Sequence, residues 1–416
     1  MPRFVIHGGN PLTGEVGVGG AKNSALKLMA ASVLAPGLTR LRNVPDISDV
    51  GVMAQVLERL GARVTRSDHS LDVDTSELSS VEAPYDLVAR MRASIAVLGP
   101  LVARTGEARV AMPGGCNIGS RKVDIHIRGL QELGAEIEVE HGFINARAKR
   151  LRGAHVLLEF PSVGATENLL MAAVTAEGTT TIENAAREPE IQDLIAFLRS
   201  MGARIHGAGT PTVTVEGVEE LRPTEHAVVG DRIEAGTFIV AGAMCGGPVA
   251  VTGFDPHHIE MVLVKLRAAG VDVWVGDGSV SVRLEGRPRP VDVQTLPYPG
   301  FPTDMQAQFT ALMAVADGGS VVTENVFENR FMFADEIARM GAEITIDGHH
   351  AVIKGVPRLS GAPVICPDLR GGAALVLAGL AAEGETVVDG VHHIERGYEG
   401  FVEKLAGLGA DIRAVP

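Results

Sequence analysis

Along this chain, apolar residues at helical spacing close on a glycine and give way at once to short stretches of β-branched residues. The junction reads Leu-Gly-Ala-Arg-Val at 60–64, Leu-Gly-Ala-Glu-Ile at 133–137 and Met-Gly-Ala-Arg-Ile at 201–205. It returns as Ala-Gly-Val-Asp-Val at 269–273, Met-Gly-Ala-Glu-Ile at 340–344 and Leu-Gly-Ala-Asp-Ile at 408–412. Its glycines, Gly61, Gly134, Gly202, Gly270, Gly341 and Gly409, stand 68–73 residues apart. Glycine just past a helix takes positive φ without penalty, and a strand then departs. A second junction lies between these, at 31–41, 172–182 and 378–388: an Ala/Leu-rich helix, a glycine and a β-branched strand. An extended stretch precedes it at 11–18, 149–158 and 357–365. The pattern predicts six diverged copies of one α/β unit of about 70 residues.

The sixth copy stops at Asp-Ile-Arg-Ala-Val-Pro, before a closing strand. Phe4-Val5-Ile6-His7-Gly8 resembles such a strand, as in Val352-Ile353-Lys354-Gly355. The N-terminal segment is therefore expected to complete the last unit. Three units per half place one domain at 22–229 and the other at 1–21 plus 230–416. A solenoid scaffold that binds a protein is the competing architecture, but its repeats are usually shorter and keep similar surfaces from copy to copy. Here the loops diverge sharply.

Size and composition agree with two soluble α/β domains: 416 residues, 46% hydrophobic and 21% charged. No apolar run reaches the roughly 18 residues of a membrane span, and the N-terminus does not read as a signal peptide. Three cysteines in so long a chain do not suggest a disulfide framework. The cytoplasm is the expected location. A net charge of −14 argues against general nucleic-acid binding, yet a few arginines can still form a local anion pocket.

Equivalent loops carry the chemistry. At the N-termini of the first helices stand Gly-Gly-Ala-Lys-Asn-Ser (19–24), Val-Ala-Arg-Met-Arg-Ala-Ser (88–94) and Pro-Ser-Val-Gly-Ala-Thr-Glu-Asn (161–168). The later three are Gly-Asp-Arg-Ile-Glu-Ala-Gly (230–236), Phe-Pro-Thr-Asp-Met-Gln-Ala-Gln (301–308) and Pro-Asp-Leu-Arg-Gly-Gly (367–372). Free N–H groups and positive dipole ends suit phosphate or carboxylate there. Capping accounts for Ser24 and Thr303. It does not account for Lys22, Arg92 and Arg370, which the dipole would repel. The 17–23 glycine run lacks the Gly-Lys-Ser/Thr of a P-loop. In the other set of loops, Cys116 sits among Gly114, Gly115 and Gly119 with Arg121 and Lys122 nearby, a setting for a reactive thiol. Cys245 and Cys366 lie in apolar runs and read as buried and inert. The adjacent pairs His257-His258 and His392-His393 have no metal-ligand spacing, so no metal is expected.

Taken in order, Gly-Gly-Ala-Lys-Asn-Ser, Met-Arg-Ala-Ser, Pro-Gly-Gly-Cys-x-Ile-Gly-x-Arg, Ala-Ala-Arg-Glu-Pro-Glu, Phe-Pro-Thr-Asp-Met-Gln-Ala-Gln-Phe, Phe-Glu-Asn-Arg-Phe, Asp-Leu-Arg and Arg-Gly-Tyr-Glu closely resemble the UDP-N-acetylglucosamine 1-carboxyvinyltransferase family. That resemblance spans essentially the whole chain. It implies the enolpyruvyl-transferase fold, an inside-out α/β barrel of two domains, each of three βαβαββ-type units, with the active site in the cleft between them. It implies addition–elimination between phosphoenolpyruvate and the sugar 3-hydroxyl, with no cofactor, as the first committed step of peptidoglycan synthesis. By motif, Cys116 resembles the proton donor, also the site of a phosphoenolpyruvate adduct and of fosfomycin alkylation. Asp304 would take the hydroxyl proton, and Lys22 would be the third catalytic residue. Lys22, Asn23, Arg121 and Arg396 would hold phosphoenolpyruvate, with Arg92, Arg330 and Arg370 completing a charged site. Asn23, Arg92, Arg121, Asp124, Ser162, Val163, Gly164, Asp304 and the backbone of Val326 would contact the nucleotide sugar. Phe160-Pro161 stands where some members carry a lysine, and Lys122 where proline is frequent. The competing functions are a related transferase acting on another uridine nucleotide or on shikimate 3-phosphate, and an inactive regulator that binds the nucleotide sugar.

Overall fold

The computed structural model describes residues 2–113 and 123–416. They divide into two compact units, one of residues 20–113 and 123–229, the other of 2–19 and 230–416. Each has its own apolar core. The extended stretch, Ala/Leu-rich helix, strand, amphipathic helix and hairpin of the sequence repeat appear as β-α-β-α-β-β. In 155–216 these are His155–Leu157, Val163–Ala173, Thr179–Glu183, Pro189–Ser200, Arg204–His206 and Thr212–Glu216.

Every unit-forming repeat makes a four-stranded sheet of one plan. The leading strand pairs parallel with the second, as His155–Leu157 does with Thr179–Glu183. The hairpin then adds two antiparallel strands. A parallel pair needs a crossover, and the Ala/Leu-rich helix supplies it. Those crossover helices are buried on nearly all sides: every residue from Ala165 to Ala173 is buried, as is nearly all of Leu369–Ala381. Leu98–Thr105 packs on Val163–Ala173, and Gln306–Ala314 on Leu369–Ala381. The sheets turn one face to these helices, shown by alternating burial in strands such as Ser70–Asp74. The amphipathic second helices lie outside, with Leu57, Leu130 and Leu198 turned inward. Helices within and sheets without define an inside-out α/β barrel.

Strand Arg3–His7 lies between Glu385–Asp389 and Asp411–Val415, antiparallel to both, so the N-terminus closes the last repeat's sheet. Two leading strands pair away from the helices that follow them. The stretch 11–18 reads as the leader of the helix at 22, yet Gly14–Gly17 pairs with Val249–Thr252. Glu225–Ala227, the leader of the helix at 232, pairs instead with Leu38–Arg42. The two leading strands have exchanged sheets, because local hydrophobicity sets a strand's faces but not its edge partner.

All six junction glycines have φ between 88° and 107°, as a departure from the helix requires. Their surroundings differ. An added Cβ at Gly202 meets nothing within 4 Å, whereas at Gly61 it would lie 2.5 Å from the Ser79 amide nitrogen. Gly202→Ala should therefore cost only the backbone strain, about 1–2 kcal/mol. Gly61→Ala should cost ~1–3 kcal/mol more, since backbone must shift. Urea denaturation of both variants checks the order; equal losses would contradict it.

Candidate active site

In the unit containing 20–229, helix Lys22–Ala31 starts at Ala21 with no side-chain cap. The short helix Arg92–Val97 is likewise uncapped. Each uncapped end leads with a cation, which leaves N–H groups and charge together for an anion. Lys22 is held: its Nζ lies 2.7 Å from Asp49 Oδ2, and both side chains are buried. Arg92 is half-buried, and burial pushes its guanidinium below the ordinary value. No carboxylate of the described residues pairs with it. Ser162 does cap its helix, accepting from Ala165 N at 3.3 Å. Val163 and Gly164 form the first turn above it.

His126 joins these elements. Asn168 Oδ1 accepts from Gly99 N at 2.9 Å, and its Nδ2 donates to Ile95 O at 3.1 Å, which orients the amide. The same Nδ2 lies 2.9 Å from His126 Nδ1, so that nitrogen accepts and Nε2 carries the hydrogen. Burial, then Arg92 and Lys27, push His126 down to about 4, leaving it neutral. Its ring abuts Gly164, where an added Cβ would stand 3.1 Å from Cε1. Deeper still, Lys27 Nζ meets Glu167 Oε2 at 2.9 Å between two buried helices.

In the other unit, Asp304 lies in the turn Thr303–Met305 and is gripped by two arginines. Arg330 Nη2 donates to Oδ1 at 2.6 Å and Arg370 Nη2 to Oδ2 at 3.2 Å. Arg330 also donates to Thr303 Oγ1 at 2.8 Å, and that hydroxyl donates to Glu324 Oε2 at 2.8 Å. Glu324 Oε1 accepts from Val326 N and Phe327 N at 2.8 and 3.1 Å, which shapes the turn presenting the Val326 backbone. Asp368 caps helix Leu369–Ala381 through Arg370 N and Gly371 N. Arg370 is buried, lies 5.3 Å from the Tyr398 ring centre, and keeps Nε and Nη1 without a hydrogen-bond partner among the described residues. Buried guanidinium N–H groups of that kind suit an incoming anion. Arg396 closes the short helix Val391–Arg396.

The sequence placements fare unevenly. Asp304, Arg330 and Arg370 form one cluster, tied through Thr303 and Glu324 to Val326. Lys22 and Asn23 share one helix start, and Ser162, Val163 and Gly164 share another. Asp124 begins helix Asp124–Glu132 and pairs with Arg128 at 2.9 Å on the surface. Phe160 is exposed. Cys116, Arg121 and Lys122 lie outside the described residues. Ser24 and Thr303 are not helix caps. Ser24 is the third residue of its helix, past the N-cap Ala21, and donates to Asp193; Thr303 follows the N-cap Pro302 and donates to Glu324. Cys366 is buried, with Sγ 3.2 Å from Asp368 O, and burial pushes the Cys245 thiol up to about 12. Asp49, His126, Asn168, Glu324 and Tyr398 were not singled out by sequence; each has a partner distant in the chain. Among the described residues no helix is long and apolar enough to cross a membrane.

Comparison with known proteins first defines the class. The profile of the family described as EPSP synthase (3-phosphoshikimate 1-carboxyvinyltransferase) matches residues 6–405. The solved enolpyruvyl transferase NikO from Streptomyces tendae superposes with a TM-score of 0.89 at 30% identity, over 100% of this chain and 99% of that one. The fold is therefore that of the enolpyruvyl transferases. Two curated proteins named UDP-N-acetylglucosamine 1-carboxyvinyltransferase are more similar in sequence. That of Mycobacterium bovis is 56% identical over 99% of both chains, and that of Geobacter metallireducens 52% over 100% of both. The chain belongs to the UDP-N-acetylglucosamine 1-carboxyvinyltransferase family.

Proposed function

We propose that this protein transfers the enolpyruvyl group of phosphoenolpyruvate to the 3-hydroxyl of UDP-N-acetylglucosamine and releases phosphate, the first committed step of peptidoglycan synthesis. The identity of more than half of all residues to full-length transferases of that name carries the reading. In the addition, the sugar oxygen bonds to C2 of phosphoenolpyruvate, the hydroxyl proton goes to Asp304, and C3 gains a proton from Cys116. In the elimination, the C2–O bond to phosphate breaks and C3 returns a proton, restoring the double bond. Asp304 is assigned the base as a carboxylate in the turn Thr303–Met305, with Arg330 and Arg370 at its two oxygens. Lys22, Asn23, Arg121 and Arg396 hold phosphoenolpyruvate, with Arg330 and Arg370 completing the anion site. Arg92, Asp124, Ser162, Val163, Gly164 and the Val326 backbone contact the nucleotide sugar. The reaction needs no cofactor and takes place in the cytoplasm, and fosfomycin blocks it by alkylating Cys116.

Phosphate release tests the reading. With phosphoenolpyruvate, turnover should require UDP-N-acetylglucosamine and should fall at least about a hundredfold with other uridine nucleotides or shikimate 3-phosphate, whose polar groups leave the site's donors unpaired. Preference for either alternative would assign the chain to a different acceptor. Absence of turnover with binding of the sugar nucleotide would make it a regulator.

A further inference from the structure

The chain passes between its two units at 19–20 and again at 229–230. Each passage is fastened by a carboxylate, partly buried at Asp193 and buried at Glu234. In one unit, Asp193 Oδ2 accepts from Val229 N at 3.2 Å and from the Ser24 hydroxyl, while Oδ1 lies 2.7 Å from His226 Nε2. In the other, Glu234 Oε2 accepts from Gly19 N at 3.1 Å, while Oε1 takes Lys404 Nζ at 2.6 Å.

The two arrangements occupy equivalent places. Ser24 and Glu234 are each the third residue of their unit's first buried helix, Lys22–Ala31 and Arg232–Cys245. Asp193 and Lys404 each lie on the last surface helix, Pro189–Ser200 and Phe401–Gly407. The carboxylate has moved from the surface helix in one copy to the buried helix in the other. Its hold on the passage amide is the same. The backbone is also ordered there by Ala21 N on Val229 O at 2.7 Å and by Asp231 N on Gly19 O at 2.9 Å. Each carboxylate thus ties the last surface helix to two segments that these main-chain bonds already join. Hydrogen bonds to a buried charged acceptor are the stronger kind, and their loss leaves an amide unsatisfied.

We propose that Asp193 and Glu234 are positioning residues, each tying the backbone at a passage to the first turn of the helix beside it. Through Ser24, Asp193 fixes the place of Lys22 and Asn23. The kinetic consequence rests on the reading of Lys22 as a phosphoenolpyruvate ligand; the structural one does not.

Asp193→Ala frees Ser24 and the Val229 amide together. The KM for phosphoenolpyruvate should rise about tenfold or more while kcat changes less than about threefold, the split expected when a uniform binding contact is weakened. Asp193→Asn keeps an acceptor for Val229 and Ser24 and should recover most of that loss. Hydrogen exchange read by mass spectrometry supplies an arm independent of turnover. Asp193→Ala should speed exchange in peptides spanning 225–231 and leave those spanning 15–19 unchanged, and Glu234→Ala should do the reverse. Unchanged exchange at the targeted passage overturns the proposal, as does a KM that moves only in step with kcat. If the wild-type protein shows no turnover, the functional reading fails and the exchange arm alone decides.

Discussion

Asp304→Asn is expected to reduce kcat by about 10²–10⁴-fold, the usual contribution of a positioned base. It should also destabilise its own unit. The substitution keeps the shape and removes the charge that Arg330 and Arg370 share at 2.6 and 3.2 Å. Both guanidiniums are buried, at 5% and 4% side-chain exposure, and removing one partner of such a pair costs about 3–5 kcal/mol. The Asp304 side chain is a quarter exposed and the amide oxygen still accepts one hydrogen bond, so the lower end applies. At roughly 2–4 °C per kcal/mol, the melting temperature of that unit should fall by about 6–12 °C. Inorganic phosphate should restore more of this loss than it adds to the wild type, since binding to the two bare guanidiniums stabilises only the folded state. Steady-state phosphate release and calorimetry check both effects. A kcat within tenfold of wild type would remove Asp304 from proton transfer, whatever happened to the melting temperature.

The candidate residues of the two units show what a sequence reveals. Lys22, Arg92 and Arg370 stood out because a cation at a helix start opposes the dipole, so local physics alone demands an explanation. Their supports did not stand out. Asp49, Glu324, Asn168 and Asp193 look like ordinary polar residues until the fold brings each to a partner far away in sequence. Ser24 and Thr303 show the reverse error: both have the residue type of a cap, yet they stand past the N-caps Ala21 and Pro302, and their hydroxyls answer to Asp193 and Glu324. The repeat was legible because its signal is steric, a glycine at positive φ after each amphipathic helix. The strand partners were not, because Gly14–Gly17 and Glu225–Ala227 are too short for their patterns to select one edge; only the expected boundaries at 21–22 and 229–230 group each with the half it pairs in.

A second large effect is expected away from the reacting groups. Lys27→Met should destabilise its unit by about 2 kcal/mol more at pH 8.5 than at pH 5. Lys27 and Glu167 join the first and third crossover helices, with side-chain exposures of 13% and 1%. Burial raises Glu167 to about 7, against the pull of Lys27, and Glu190 and Glu188 push the same way as burial. Its folded pKa therefore lies above the unfolded value near 4.5, so the folded state holds the proton more tightly. That contribution to stability is complete below about pH 4.5, is lost as the pH rises through 7, and changes little beyond. Without Lys27 nothing opposes burial, and the folded pKa moves higher. Stability should then keep falling by about 1.4 kcal/mol per pH unit above 7, where Glu167 of the wild type has already ionised. At pH 5 Glu167 is protonated in both proteins, and the methionine replaces the lysine stem with little more than a packing change. Urea denaturation at pH 5, 7 and 8.5 measures the difference. An equal loss at all three would mean that Lys27 acts by packing, and that Glu167 does not depend on it for its charge.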